Sequence, residues 1–134
     1  KAVQDRIIRD VNELKSYGVN TIAIMSNDSE NYPEDSFPNM KLIAEKFNYP
    51  FPYVWDETQA IAKYYGAVCT PDFFGFNSDL ALQYRGRLDA SRKEAAPPDV
   101  RRDLFEAMVQ VAKTGRGPED QISSIGCSIK WRTE

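Results

Sequence analysis

At 134 residues, with 42% hydrophobic and 28% charged residues, the chain has the size and composition of one globular domain able to bury a core. A formal net charge of -3 and a pI near 5.1 argue against nucleic acid as a partner, since that requires a basic face, and no apolar run approaches the ~20 residues that cross a bilayer. The complete absence of histidine removes the usual general base and the commonest zinc ligand, and two cysteines are too few for a structural zinc site or a secreted disulfide scaffold.

From Lys1 the apolar residues Val3, Ile7, Ile8, Val11 and Leu14 fall at helical spacing, and Asp5, Arg6, Arg9, Asp10 and Glu13 take the opposite face. This predicts one helix over Lys1–Tyr17, with Gly18 as its left-handed terminator. No N-cap signal precedes Val3 and no signal peptide is recognisable, so the pattern reads as a helix entered part-way, in a piece of a longer open reading frame. Val19–Met25 is β-branched and nearly continuous, as expected of a strand covered on both faces by helices. The polar residues Ser26, Asn27 and Asp28 end it.

Pro38 fits the first turn of a second helix running to about Phe47, with Phe37, Met40, Ala44 and Phe47 as its buried side. Tyr49-Pro50-Phe51-Pro52 stops that helix, and Tyr53-Val54-Trp55 reads as a short strand. Asp56 with Gln59 forms a capping-box pattern for a short helix through Tyr65. Next come Asp72–Phe76 and Leu80–Arg85, a hairpin around Asn77-Ser78-Asp79, and then a charged, proline-bearing loop over Gly86–Pro98. Val100, Leu104, Met108, Val111 and Ala112 trace a last helix closed by Gly115. The tail from Arg116 carries Ile122, Ile125, Cys127, Ile129 and Trp131, too apolar to float free, and is expected to pack back on the body of a single domain.

The central stretch is Tyr64-Tyr65-Gly66-Ala67-Val68-Cys69-Thr70-Pro71-Asp72-Phe73-Phe74-Gly75-Phe76: a helix end, a Thr-Pro bond and an aromatic strand. An X-Pro bond prefers trans by only about 0.5–1 kcal/mol, and a cis Thr70-Pro71 is expected here. Together with the tail Ile125-Gly126-Cys127-Ser128-Ile129-Lys130-Trp131, this pattern resembles the thioredoxin-like fold and, more closely, the AhpC/TSA-like, peroxiredoxin-related redoxin family. The resemblance implies a three-layer α/β/α domain doing thiol-based redox work, either peroxide reduction or thiol–disulfide exchange, and two cysteines in a mid-sized domain suit a reducing cytosol. The resemblance also implies a peroxide or disulfide substrate, a thioredoxin-type reductant, and no cofactor or metal.

Family members carry a reactive cysteine directly before the helix that Lys1–Tyr17 resembles, where the helix dipole acidifies a thiol. No cysteine precedes Cys69 here, so the chain by itself is expected to be nearly inactive. The resemblance places Thr70 and Pro71 at a backbone edge that pairs with substrate in strand-like fashion, and a plain structural turn is the rival account. Cys69 and Cys127 are the redox candidates, each with simple packing as its alternative, and a Cys69–Cys127 disulfide stays open. Asn27 and Asp28 sit at a carboxyl strand end where α/β sheets gather ligand groups, though loop solvation is the simpler account.

The aromatic series Tyr49, Phe51, Tyr53, Trp55, Tyr64, Tyr65, Phe73, Phe74 and Phe76 reads as core rather than as base-stacking groups, and Asp99, Arg101, Arg102 and Asp103 read as a solvated helix face. In the resembling fold a central strand lies between Val19–Met25 and Asp72–Phe76. This chain does not supply it, and roughly ten unpaired backbone groups at about 1–3 kcal/mol each would require a strand from elsewhere, for example from a second copy in a homodimer. The competing function class is a non-catalytic thioredoxin-like interaction module using the Thr70-Pro71 edge. A flavodoxin-like nucleotide binder lacks its glycine-rich phosphate loop.

Overall fold

The computed structural model describes residues 2–91 and 100–133; Asp99 and the stretch 92–98 of the expected Gly86–Pro98 loop lie outside the described residues. In chain order the elements are helix α1 (Ala2–Lys15), strand β1 (Ala23–Met25), α2 (Phe37–Lys46), β2 (Tyr53–Trp55), α3 (Ala60–Tyr65), β3 (Cys69–Thr70), β4 (Phe73–Phe76), β5 (Leu82–Gly86), α4 (Asp103–Thr114) and β6 (Cys127–Ser128). A turn of 3₁₀ helix, Pro33–Asp35, precedes α2. The content is mixed α/β with small sheets, compatible with a thioredoxin-like fold: β1 pairs with β2, β3 with β6, and β4 with β5. Among the described residues no helix is long and apolar enough to cross a membrane.

The chain divides into two compact units, residues 1–20 with 69–127 and residues 21–68 with 128–134. In the first, α1 and α4 bring Leu14, Ala107, Met108 and Val111 around Tyr84 of β5, which is only 2% exposed. Gly18 and Gly115 follow the two helices with φ of +78° each, the left-handed conformation that lacks a Cβ penalty only in glycine. Strands β4 and β5 run antiparallel, with Phe74 opposite Arg85 and an irregularity between Gly75 and Phe76. The turn between them is built by Asn77, whose Oδ1 accepts from the amides of Asp79 and Ala81.

The helical spacing of α1 misassigned two of its charged residues. Arg6 and Asp10 are buried, at 5% and 1% exposure, because each finds an ionic partner on a distant segment. Arg6 Nε donates to Asp89 at 2.7 Å, and Arg102 Nη2 to Asp10 at 2.6 Å. Likewise Asp103, read as solvated, is 5% exposed and takes Arg87 Nε at 3.1 Å.

In the second unit β1 and β2 are parallel, with Ile24 opposite Val54. The strand is shorter than the predicted Val19–Met25, and its outer face is not covered: Ile22 is 63% and Ile24 38% exposed. Ser36 caps α2, its Oγ accepting from the amide of Asn39. The capping box does not form. Asp56 accepts from the amides of Ile61 and Ala62 and from Ser26 Oγ. Gln59 takes a positive φ and turns inward, donating to the carbonyls of Ser26 and Lys130 and accepting from the amide of Arg132. Of the aromatic series read as core, Tyr64 is 86% and Tyr65 41% exposed.

Candidate functional site

The site is built on β3 and the peptide bond that leaves it. Helix α3 ends at Gly66 in the left-handed conformation, the chain enters Cys69-Thr70 after two further residues, and the Thr70–Pro71 peptide bond is cis. The chain then enters β4, and Thr70 and Pro71 are exposed at one edge of β3.

That edge is occupied from within. Strand β6 is the neighbour of β3, and Thr70 Oγ1 donates to the carbonyl of Cys127 at 3.4 Å. Gly126 lies so close that a Cβ there would stand 2.3 Å from the Thr70 carbonyl oxygen. Cys127 is therefore abreast of Thr70, and residues abreast across a strand pair share a face. Cys69 precedes Thr70 in β3, where successive side chains alternate in direction. Both thiols are free.

Thr70, Pro71 and Cys127 border a cavity of about 110 Å³ whose walls also include Phe73, Arg87 and Ser124. Cys127 is exposed at its rim. Cys69 is half-buried, with Sγ 3.8 Å from the Ser124 carbonyl and 4.0 Å from that of Pro71. Burial pushes its thiol pKa up, the Asp72 carboxylate adds to the rise, and the Arg85 guanidinium partly offsets it.

Asp72 ties the site together. Its Oδ2 accepts from Arg85 Nη2 at 3.1 Å and its Oδ1 from Ser124 Oγ at 3.1 Å, while Ser124 also contacts the Gly86 carbonyl at 2.6 Å. Arg85 lies over the Phe74 ring, 4.8 Å from its centroid. Sequence reasoning singled out none of Asp72, Arg85, Ser124 and Gly126 as site residues. The only available signal was that Asp72 comes directly after Pro71, whereas the others arrive from β5 and the tail.

Asn27 and Asp28 belong to the other unit and hold its loop. Asn27 Oδ1 accepts from the Lys130 amide at 2.9 Å, and Asp28 accepts from the Glu30 amide at 3.0 Å and from Asn31 Nδ2 at 2.6 Å. The Asn31 bond is the main cause that lowers the Asp28 pKa below its ordinary 3.8. Asp28 is buried rather than solvated, with its carboxylate engaged in shaping the turn. Among the described residues no group of three or more His, Cys, Asp or Glu side chains is arranged to hold a metal ion.

The model of the AhpC/TSA family matches residues 4–87, a span from α1 through the cis bond to β5. The chain belongs to the AhpC/TSA family. Thiol-based redox work is therefore its function at family level, and the family is a thioredoxin-like redoxin one. Two solved structures resemble this AhpC/TSA member over 98% of its length. One is an uncharacterized conserved protein from Geobacillus kaustophilus, 47% identical, with a TM-score of 0.85 and 70% of its own chain covered. The other is a hypothetical protein from Sinorhizobium meliloti 1021, 32% identical, with a TM-score of 0.88 and 72% of its chain covered. No curated protein matches. Cys127 lies beyond the span matched by the AhpC/TSA model, whereas Cys69, Thr70 and Pro71 lie within it.

Proposed function

We propose that this AhpC/TSA protein works in peroxide reduction or thiol–disulfide exchange, with Cys127 as the resolving thiol beside Thr70 and Pro71. The observation that supports this reading is the pairing of Cys127 with Thr70 at the rim of the cavity, which leaves an exposed thiol at the edge. Cys69 is the weaker candidate, because burial and Asp72 favour its protonated form and the thiolate is the nucleophile.

In the peroxide branch the cysteine thiol of a partner protein, since these residues carry only Cys69 and Cys127, attacks the O–O bond of hydrogen peroxide. It becomes a sulfenic acid, and one oxygen leaves as water. The Cys127 thiolate then attacks the sulfenic sulfur, an S–S bond forms, and the second oxygen leaves as hydroxide, which is protonated to water. A thioredoxin-type reductant supplies two electrons and two protons to restore both thiols. In the exchange branch the Cys127 thiolate attacks a disulfide sulfur and the other sulfur departs as thiolate. Cys69 and Cys127 alone give slow peroxide turnover in this reading.

The test is reaction with glutathione disulfide and then peptide mass mapping. A mixed disulfide at Cys127, abolished in Cys127→Ser and kept in Cys69→Ser, is the expected result. Modification confined to Cys69 overturns the assignment.

A further inference from the structure

We infer that Gly126–Cys127 is a resident strand that closes the Thr70 edge to an incoming extended peptide, with Gly126 as the residue whose missing side chain lets it close. This rests on the reading that the chemistry takes place beside Thr70 and Pro71.

An open strand edge attracts extended peptides, because it offers unpaired backbone groups in register. Here the edge beside Thr70 already has a partner in the chain's own tail. Delivery of that tail is firm: the Arg87 amide donates to the Ile122 carbonyl at 2.9 Å, and Ser124 is held on Gly86 and Asp72. The final approach depends on a missing side chain, since a Cβ on Gly126 would meet the Thr70 carbonyl at 2.3 Å for oxygen and 3.1 Å for carbon. Those are backbone atoms, which do not swing aside as a flexible side chain does. Such close backbone approach is what glycine permits. The cavity beside it is about 110 Å³.

The probe is a fluorescent nonapeptide copying residues 123–131 of the tail, with serine in place of its cysteine so that only strand addition is read. Fluorescence anisotropy should show no saturable binding to the wild-type chain. Gly126→Val displaces the resident strand and should bind the peptide at least about tenfold more tightly. Gly126→Ala should fall between, and it carries the test if the valine variant does not fold. Wild-type binding equal to that of the variants overturns the inference, as does a folded variant that gains no affinity. The anisotropy involves no redox step, so its outcome is independent of whether Cys127 reacts with glutathione disulfide.

Discussion

Arg102 Nη2 lies 2.6 Å from Asp10 Oδ1, linking the start of α4 to the buried side of α1 across 92 residues of sequence. The same guanidinium reaches Glu13 at 2.7 Å and lies 3.9 Å from the Phe105 ring centroid. Asp10 is 1% exposed and also takes Arg9 at 2.9 Å. Arg102→Ala removes one of two cations from a buried carboxylate and should cost about 2–3 kcal/mol in urea unfolding, below the ~3–5 kcal/mol typical when a buried charge loses its partner. Asp10→Asn in the Arg102→Ala background should recover part of that loss, since it removes the stranded charge.

Tyr84 and Tyr53 give the protein an alkaline limit. Burial, with smaller contributions from Asp103 at Tyr84 and from Tyr49 and Asp35 at Tyr53, raises both hydroxyls from 10.0 to about 12. The folded state thus holds these protons more firmly than the unfolded state does. Their stabilisation is complete below the unfolded value of 10.0 and is lost as pH rises toward about 12. Tyr84 Oη donates to the Arg87 carbonyl at 2.6 Å, a bond that needs the protonated hydroxyl. Unfolding free energies at about pH 9 and about pH 11 should fall less steeply in Tyr84→Phe than in the wild type, after a loss of about 1 kcal/mol at neutral pH for the missing bond.

The two thiols should separate kinetically. Iodoacetamide at neutral pH should label exposed Cys127 before Cys69, whose thiol is disfavoured from ionising by burial and by Asp72. Asp72→Asn should move the pH midpoint of Cys69 labelling downward. An unchanged midpoint in a folded variant would show that burial alone sets it.

Two glycines offer a contrast in what stands over them. A Cβ on Gly117 would meet the Gln83 carbonyl oxygen at 1.9 Å, whereas one on Gly75 would meet Met108 Sδ at 2.3 Å. Methionine is a flexible gap-filler and backbone is not. Gly117→Ala should therefore destabilise the protein by at least the about 1–3 kcal/mol usual for overpacking, and Gly75→Ala by less. Thermal melts of the two variants compare them directly.

How far the sequence reaches is clearest at particular residues. The period of Val11, Leu14, Met108 and Val111 located both helices that pack on Tyr84, because a helix buries whatever recurs every three or four residues. The Tyr53-Val54-Trp55 strand and the hairpin around Asn77 were legible too, since proline, glycine and asparagine act locally on the backbone. Arg6, Asp10 and Asp103 were not, because periodicity assigns every charge to water and cannot see a counter-ion many residues away.

By itself, then, the sequence determined the helices, the turns and the resemblance carried by the Thr70-Pro71 stretch, all of which depend on neighbouring residues. Only the tertiary structure decided that the Cys127 backbone lies beside Thr70, and that the tail covers the edge. A strand register joins residues 57 apart, and pairing energy at that separation leaves no periodic trace in the chain.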